Sequence, residues 1–403
     1  MDQQKQLPKL SNYRWVILAI AALLDVISSY VQFQISALAT QIMPELHISM
    51  AQFSSLTMAP MLIAVFLSIP AGTLADKFGA KKIVTVGLII SVIGAFGRLW
   101  AKNFGTMMIM LLMFGVYMAL LNANTLKIFG TWFKQDTNFA MGIFFASASV
   151  GIMLSQITGP MFPSVQSAYI FSSVVLLILA VCWILFVRDT PKGEEIPKQE
   201  VQADKSASSF SFFKNAAKSK NTWIVALCVG CGMGASEAFS SVLPQAFVAK
   251  GMTLGQAGFV AAVATVGSMF GSAFGPAVIN KPKRAKPLMV LITVLGGLSM
   301  AITWYLTGSV LTVNLVIGGL LGAMTGPIMQ AMPITFPEIG PKYAGSAGGL
   351  VGTVSLLLSY CVPVIISAIS GRNYLLIFII QGVVFALTSI FMIMLPDPNR
   401  NRK

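Results

Sequence analysis

Charge is what this sequence has least of. Only 10% of its 403 residues are Asp, Glu, Lys or Arg, against roughly 25% in a soluble domain. With 56% of residues hydrophobic, the chain cannot stay in water, which leaves a lipid bilayer as its solvent. Histidine occurs once, at His47, outside the long apolar runs. One imidazole completes neither a metal set nor a Ser-His-Asp arrangement. Four cysteines make no disulfide framework. Cys228 and Cys231 form a CxxC, but inside a glycine-rich apolar run where small residues serve helix packing rather than metal or redox chemistry. There is no glycine loop for a nucleotide, and no signal peptide with a cleavage site is evident. These absences disfavour an enzyme, and neither a metal nor a cofactor is expected.

Acidic residues number 13 against 27 Lys and Arg, a net charge of +14. That excess suggests nucleic acid until its placement is considered. A membrane helix needs roughly 20 apolar residues at 1.5 Å rise, and on that rule twelve spans are expected. They are 14–38, 53–74, 83–101, 105–128, 139–161, 167–187, 222–246, 257–279, 287–306, 310–333, 344–367 and 374–395. With the N-terminus in the cytoplasm, only Arg98, Lys102, Lys250 and Arg372 fall on the outer side. That is the positive-inside distribution, so the basicity reports topology and puts both termini in the cytoplasm. The expected fold is an all-α integral membrane protein of two six-helix bundles, 1–187 and 222–403. Residues 188–221 form a cytoplasmic linker of mixed charge. Near its end Phe210, Phe212 and Phe213 suggest a short amphipathic segment on the membrane surface.

The most specific stretch is Gly72 to Lys82, GTLADKFGAKK. It follows the form G-x-L-x-D-[R/K]-x-G-x-[R/K]-[R/K], fitted by Gly72, Leu74, Asp76, Lys77, Gly79, Lys81 and Lys82. This resembles the loop between helices 2 and 3 of major facilitator superfamily transporters. The resemblance implies alternating access by a monomeric carrier in the cytoplasmic membrane. It makes Gly72, Asp76, Lys77, Gly79, Lys81 and Lys82 a conformational gate, with Asp76 holding a helix N-terminus or a basic partner. LLDVISSYVQFQISAL and TWFKQDTNFAMGI extend the resemblance to the anion:cation symporter branch and related organic-anion porters. There an Asp-Arg pair is common in helix 1, and here Val26 follows Asp25. The fifth span lacks the last glycines of the drug antiporters' G-x-x-x-G-P-x-x-G-G pattern. Leu111 stands where their fourth-span arginine would be. No pair of mid-membrane arginines appears, which argues against the nitrate branch.

The halves repeat. At a common offset of 204 residues Gln52 falls on Gln256, Asp76 on Asn280, Lys77 on Lys281, and Val150, Leu154 and Ser155 on Val354, Leu358 and Ser359. Such internal symmetry typifies transporters.

Two acidic residues lie within the expected spans, Asp25 and Glu237. Asp25 sits about eleven residues into its helix, roughly 16 Å deep. A carboxylate at that depth is protonated, paired or facing water. Ser28, Ser29, Gln32 and Ser36 share its helix face, and Glu237 shares one with Gly234, Ser240, Ser241 and Gln245. Tyr117, Asn124 and Lys127 line one side of the fourth span. The resemblance places the first, fourth and seventh helices around a central cavity. Asp25, Ser29, Gln32, Tyr117, Asn124, Lys127, Glu237 and Ser241 are therefore its expected lining, with the two acids either proton-coupling or solute-contacting, or else structural. Arg98 and Lys127 are expected to bind an anion or to snorkel to the interface. The function expected is secondary transport of a small solute, an organic anion carried with protons down their gradient. Export by antiport and solute sensing without flux remain open.

Overall fold

Inside hydrocarbon a backbone satisfies its N–H and C=O groups only in a helix or a closed barrel, and this chain uses helices. The structure is a computed structural model that describes residues 11–191, 217–281, 284–336 and 338–398. Twelve helices among them are long and apolar enough to cross a membrane. In the first half they are α1 (Arg14–Ala37), α2 (Met50–Phe78), α3 (Ala80–Gly97), α4 (Phe104–Phe133), α5 (Thr137–Thr158) and α6 (Val165–Phe186). In the second they are α7 (Lys220–Ala249), α8 (Leu254–Ile279), α9 (Lys286–Ile302), α10 (Gly308–Met324), α11 (Gly340–Ser370) and α12 (Tyr374–Met394). Past Thr325, α10 resumes as a short helix, Gly326–Ala331, where Pro327 and Pro333 interrupt the ladder. The linker's 192–216, with its three phenylalanines, lies outside the described residues.

Small residues set how closely the helices approach. On α8, Gly267, Gly271 and Gly275 face the backbone carbonyls of Val316, Leu320 and Met324 on α10, leaving no room for a Cβ. This three-step stripe is the membrane packing device in which backbones meet directly. Gly151 of α5 lies on the Val26 carbonyl of α1, and Gly230 of α7 lies against Ser355 of α11. The offset of 204 maps Val26 to Gly230 and Gly151 to Ser355, so one crossing is built twice with the glycine on opposite partners. Helix starts repeat likewise. Ser49 and Gln52 form a capping box at α2, and Thr253 and Gln256 form its copy at α8. A capping box satisfies donors that the first helical turn leaves open, which explains the matching glutamines.

The halves meet at one end and separate toward the other. α2 packs on α11 and α5 on α8. At the end away from the chain termini, a single buried cluster takes in Ile35 and Phe53 from the first half with Phe239 and Phe378 from the second. Toward the termini the cores divide. Phe129, Trp132 and Trp183 belong to one cluster, and Ile224, Met289 and Phe336 to another.

The Gly72–Lys82 stretch is not the loop expected. α2 continues through Phe78, and α3 starts at Ala80. Backbone hydrogen bonding carries a helix past its last apolar turn, as it also carries α4 to Phe133 beyond the expected 128. Only Gly79, at φ +89°, turns the chain. That conformation is open to glycine and strained for other residues. A Cβ on Gly79 would also meet Asp189 Oδ2 at 2.9 Å. Gly79→Ala should cost on the order of 1–3 kcal/mol, read as a lower melting temperature of the purified protein. An unchanged melting temperature would show that the turn tolerates a side chain.

Candidate functional site

Where the halves close, small polar contacts cross between them beside the shared apolar cluster. The Ser36 hydroxyl donates to the Ser241 carbonyl. The hydroxyls of Ser54 and Ser367 lie 2.5 Å apart, and Gln156 Nε2 donates to the Ser240 carbonyl at 3.4 Å. The Gln156 carbonyl in turn sits against Gly258 of α8. Neutral hydrogen bonds contribute about 0.5–1.5 kcal/mol each, so this seam can part without breaking an ion pair.

Glu237 lies one helical turn inside the seam, three and four residues before Ser240 and Ser241. It is half-buried. Among the described residues no hydrogen bond or ion pair engages its carboxylate. Asp25 is different. It is buried, accepts from the Ser147 hydroxyl at 3.0 Å, and also takes the Ala148 N–H, both from α5. Gly151, one turn along, lets α5 come close enough to do this. The two acids are not symmetry mates. The 204 offset equates Glu237 with Phe33, eight residues beyond Asp25, which staggers them by roughly 12 Å along the helix axes. Gln32 and Gln245 are buried, and each Nε2 lacks a partner. Gln32 lies one turn inside Ser36, whereas Gln245 lies one turn past Ser241, on the far side of the seam.

The remaining expected residues divide. Ser29 is buried against Gly151 and Ser241 sits in the seam. Tyr117 and Asn124 do not line a cavity. The Tyr117 hydroxyl donates to the Leu24 carbonyl at 2.8 Å. Asn124 Nδ2 donates to the carbonyls of Leu120 at 2.8 Å and Ala71 at 3.4 Å. Both side chains bind α4 to its neighbours inside the first half. Lys127 is exposed on the terminal-end half of α4. Arg98 neither snorkels nor reaches the crevice, because it is fully buried between α3 and α6.

In the gate motif the side chains of Gly72 and Asp76 lie outside the described residues. Lys77 stands over the Phe78 ring at 5.1 Å, and Lys82 is exposed. The carboxylate that caps α3 is Asp189, which accepts from the Lys81 N–H at 2.7 Å. Asp397 does the same for α9, accepting from the N–H groups of Ala285 at 3.1 Å and Lys286 at 3.2 Å. Lys81 and Ala285 are 204 apart, whereas the two aspartates are 208 apart, so a fixed-offset comparison hides the pair. An aspartate followed closely by proline after the last apolar residue (Asp189-Thr190-Pro191, Asp397-Pro398) is the signal that marks them. Carboxylates at helix N-termini are favoured by the open N–H groups and the helix dipole.

Among the described residues no group of three or more His, Cys, Asp or Glu could hold a metal ion. A groove of about 450 Å³ opens between α1, α5 and α6, lined by Leu23, Tyr30, Leu154 and Phe171. Its apolar walls face the lipid side, on the other flank of α1 from Asp25.

Comparison with known proteins agrees with this architecture. A galacturonate transporter of Dickeya chrysanthemi is 23% identical over 53% of this chain and 64% of its own length. This chain thus matches somewhat under two-thirds of that relative. A nitrite extrusion protein of Bacillus subtilis is 24% identical over 89% of this chain and 88% of its own, despite the absence here of paired mid-membrane arginines. The crystal structure of the nucleoside transporter NupG (D323A mutant) superposes with a TM-score of 0.74 at 15% identity, covering 95% of this chain and 98% of that one. The profile of the Major Facilitator Superfamily matches residues 18–363. The chain belongs to the major facilitator superfamily, with twelve helices among the described residues long and apolar enough to make it a multi-pass protein of the cytoplasmic membrane.

Proposed function

We propose that this transporter is a monomeric proton-coupled symporter of a small organic anion. Glu237 contacts the solute or its proton in the crevice, and Asp25 holds the exchanged proton. The observation that carries the reading is Glu237, a carboxylate without a partner among the described residues, placed one turn inside the seam. An acid kept there against the cost of burial has a use that packing does not supply. The concentration of Lys and Arg toward the end bearing the termini supports a cytoplasmic position for that end. The seam then closes the outer side, and the crevice opens inward. A solute entering from the cytoplasmic side meets the level of Asp25 first and that of Glu237 last, with the Gln32 amide, one turn inside Ser36, as a donor for its oxygens. Protonating the acids removes the repulsion that an anionic solute would otherwise meet. The oxyanions in the names of the two relatives above support the anion class.

A second reading is favoured by one feature. The spans hold two carboxylates, Asp25 and Glu237, while Arg98 lies apart from them inside the first half. A cationic amine would suit such a lining without protons. Uptake by proteoliposomes under an imposed pH gradient separates the two. Accumulation of a sugar acid or short organic acid with an inward proton gradient supports symport. Accumulation of an amine alone, driven by an opposite gradient, overturns it. Binding without flux would instead indicate a sensor.

Within the symport reading, Asp25→Asn should reduce pH-driven accumulation at least tenfold while leaving solute exchange without a gradient in place, because each 1.4 kcal/mol of lost coupling is about a factor of ten. Full pH-driven uptake by Asp25→Asn would remove Asp25 from the coupling role. Glu237→Gln should weaken solute binding, seen as loss of the ligand-induced rise in melting temperature.

A further inference from the structure

Arg98 ends α3 on the seam side of the first half, with 1% of its surface exposed. Its Nε donates to the Ala95 carbonyl at 3.1 Å, and its Nη2 donates to Ser172 Oγ at 3.1 Å. Ser172 passes the chain on to Gln34 Oε1 at 2.9 Å. The guanidinium carbon stands 4.4 Å from the centre of the Tyr169 ring, so the cation is held by neutral groups and a π face. No carboxylate among the described residues forms an ion pair with it; the pair they do form is Arg14–Asp136.

Two atoms of this cluster lack a hydrogen-bond partner, Arg98 Nη1 and Tyr169 Oη, and both are fully buried. Both residues line a cavity of about 30 Å³, together with Gln166, Glu45 and the apolar Ile42 and Met107. Each orphan is a donor, and a buried donor without an acceptor is costly. So is a buried guanidinium without a counter-charge. The cavity holds one particle about the size of a water molecule.

We propose that this cavity binds one small monovalent anion, a halide, in the first half and apart from the solute crevice. Positive charge and two unpartnered donors on residues that line one cavity select an anion over water, and the volume excludes an organic acid or a polyatomic sugar acid. Glu45, the carboxylate among the lining residues, is exposed at the rim, at the end of the short helix Ala39–Glu45, where solvent screens its charge. A bound halide ties that short helix to the ends of α3 and α6, beside the seam that must part.

The test is the melting temperature of the purified full chain in sodium chloride or bromide against sodium gluconate at constant ionic strength. Gluconate is too large for the cavity. A saturable upward shift with both halides and none with gluconate is expected. Arg98→Gln should abolish the halide-dependent part. Tyr169→Phe keeps the ring stack and removes one donor, and it should raise the halide concentration for half-saturation about tenfold; this variant serves if Arg98→Gln fails to fold. Equal melting temperatures in chloride and gluconate would mean a water in the cavity and overturn the proposal. A halide shift left unchanged by Tyr169→Phe would place the ion elsewhere. A Glu45→Gln variant that loses stability in gluconate with no halide response would name Glu45 as the counter-charge instead.

Discussion

In a bilayer, no water is available to repair an unsatisfied polar group, and each polar side chain within a span therefore carries information. Most of those here resolve into hydrogen bonds between neighbouring helices. Tyr117 to Leu24, Asn124 to Ala71 and Ser147 to Asp25 are of this kind. Others have no partner among the described residues, and these include the Glu237 carboxylate, the amide nitrogens of Gln32 and Gln245, and the donors of Arg98 and Tyr169. The first three lie where the halves face one another, and the last two lie inside one half. That division underlies the two proposals, a solute site between the halves and an ion site within one of them.

The two ends of the bundle are held by different chemistry. Toward the termini, each half is fastened within itself by a carboxylate on a helix N-terminus, Asp189 on α3 and Asp397 on α9. These charge-assisted bonds run within a half and do not cross between halves. At the seam the crossing contacts are a shared apolar cluster and neutral hydrogen bonds from serine hydroxyls and an amide. Alternating access needs rigid halves and a contact between them that exchanges easily, and this distribution of strong and weak bonds supplies both.

Sequence made the twelve spans legible because length and hydropathy suffice for them. The repeat was legible where a physical role is duplicated, as in the capping boxes at Ser49 and Thr253. What it could not show was direction. A polar face on α4 reads alike whether it lines a crevice or binds a neighbour's carbonyl, so Tyr117 and Asn124 were assigned to the cavity and belong to the packing. The basic stretch after α2 read as a loop because charge marks a membrane boundary, whereas helix hydrogen bonding continues through it to Gly79. In sequence Arg98 reads as an anion site or an interfacial snorkel, because its depth is visible and its neighbours Ser172 and Tyr169, over 70 residues away, are not. The caps at Asp189 and Asp397 were hidden by a four-residue difference in spacing between the halves.

The central claim is that transport requires the serine seam to part. Cross-linking Ser54→Cys to Ser367→Cys tests it, since the native hydroxyls are 2.5 Å apart and a disulfide there would hold α2 to α11. The background should lack the native Cys182, Cys228, Cys231 and Cys361. Solute flux into proteoliposomes is then measured before and after oxidation. The account predicts loss of flux on oxidation and recovery with reductant, with solute still bound from the cytoplasmic side. Undiminished flux through the fully cross-linked protein would contradict it.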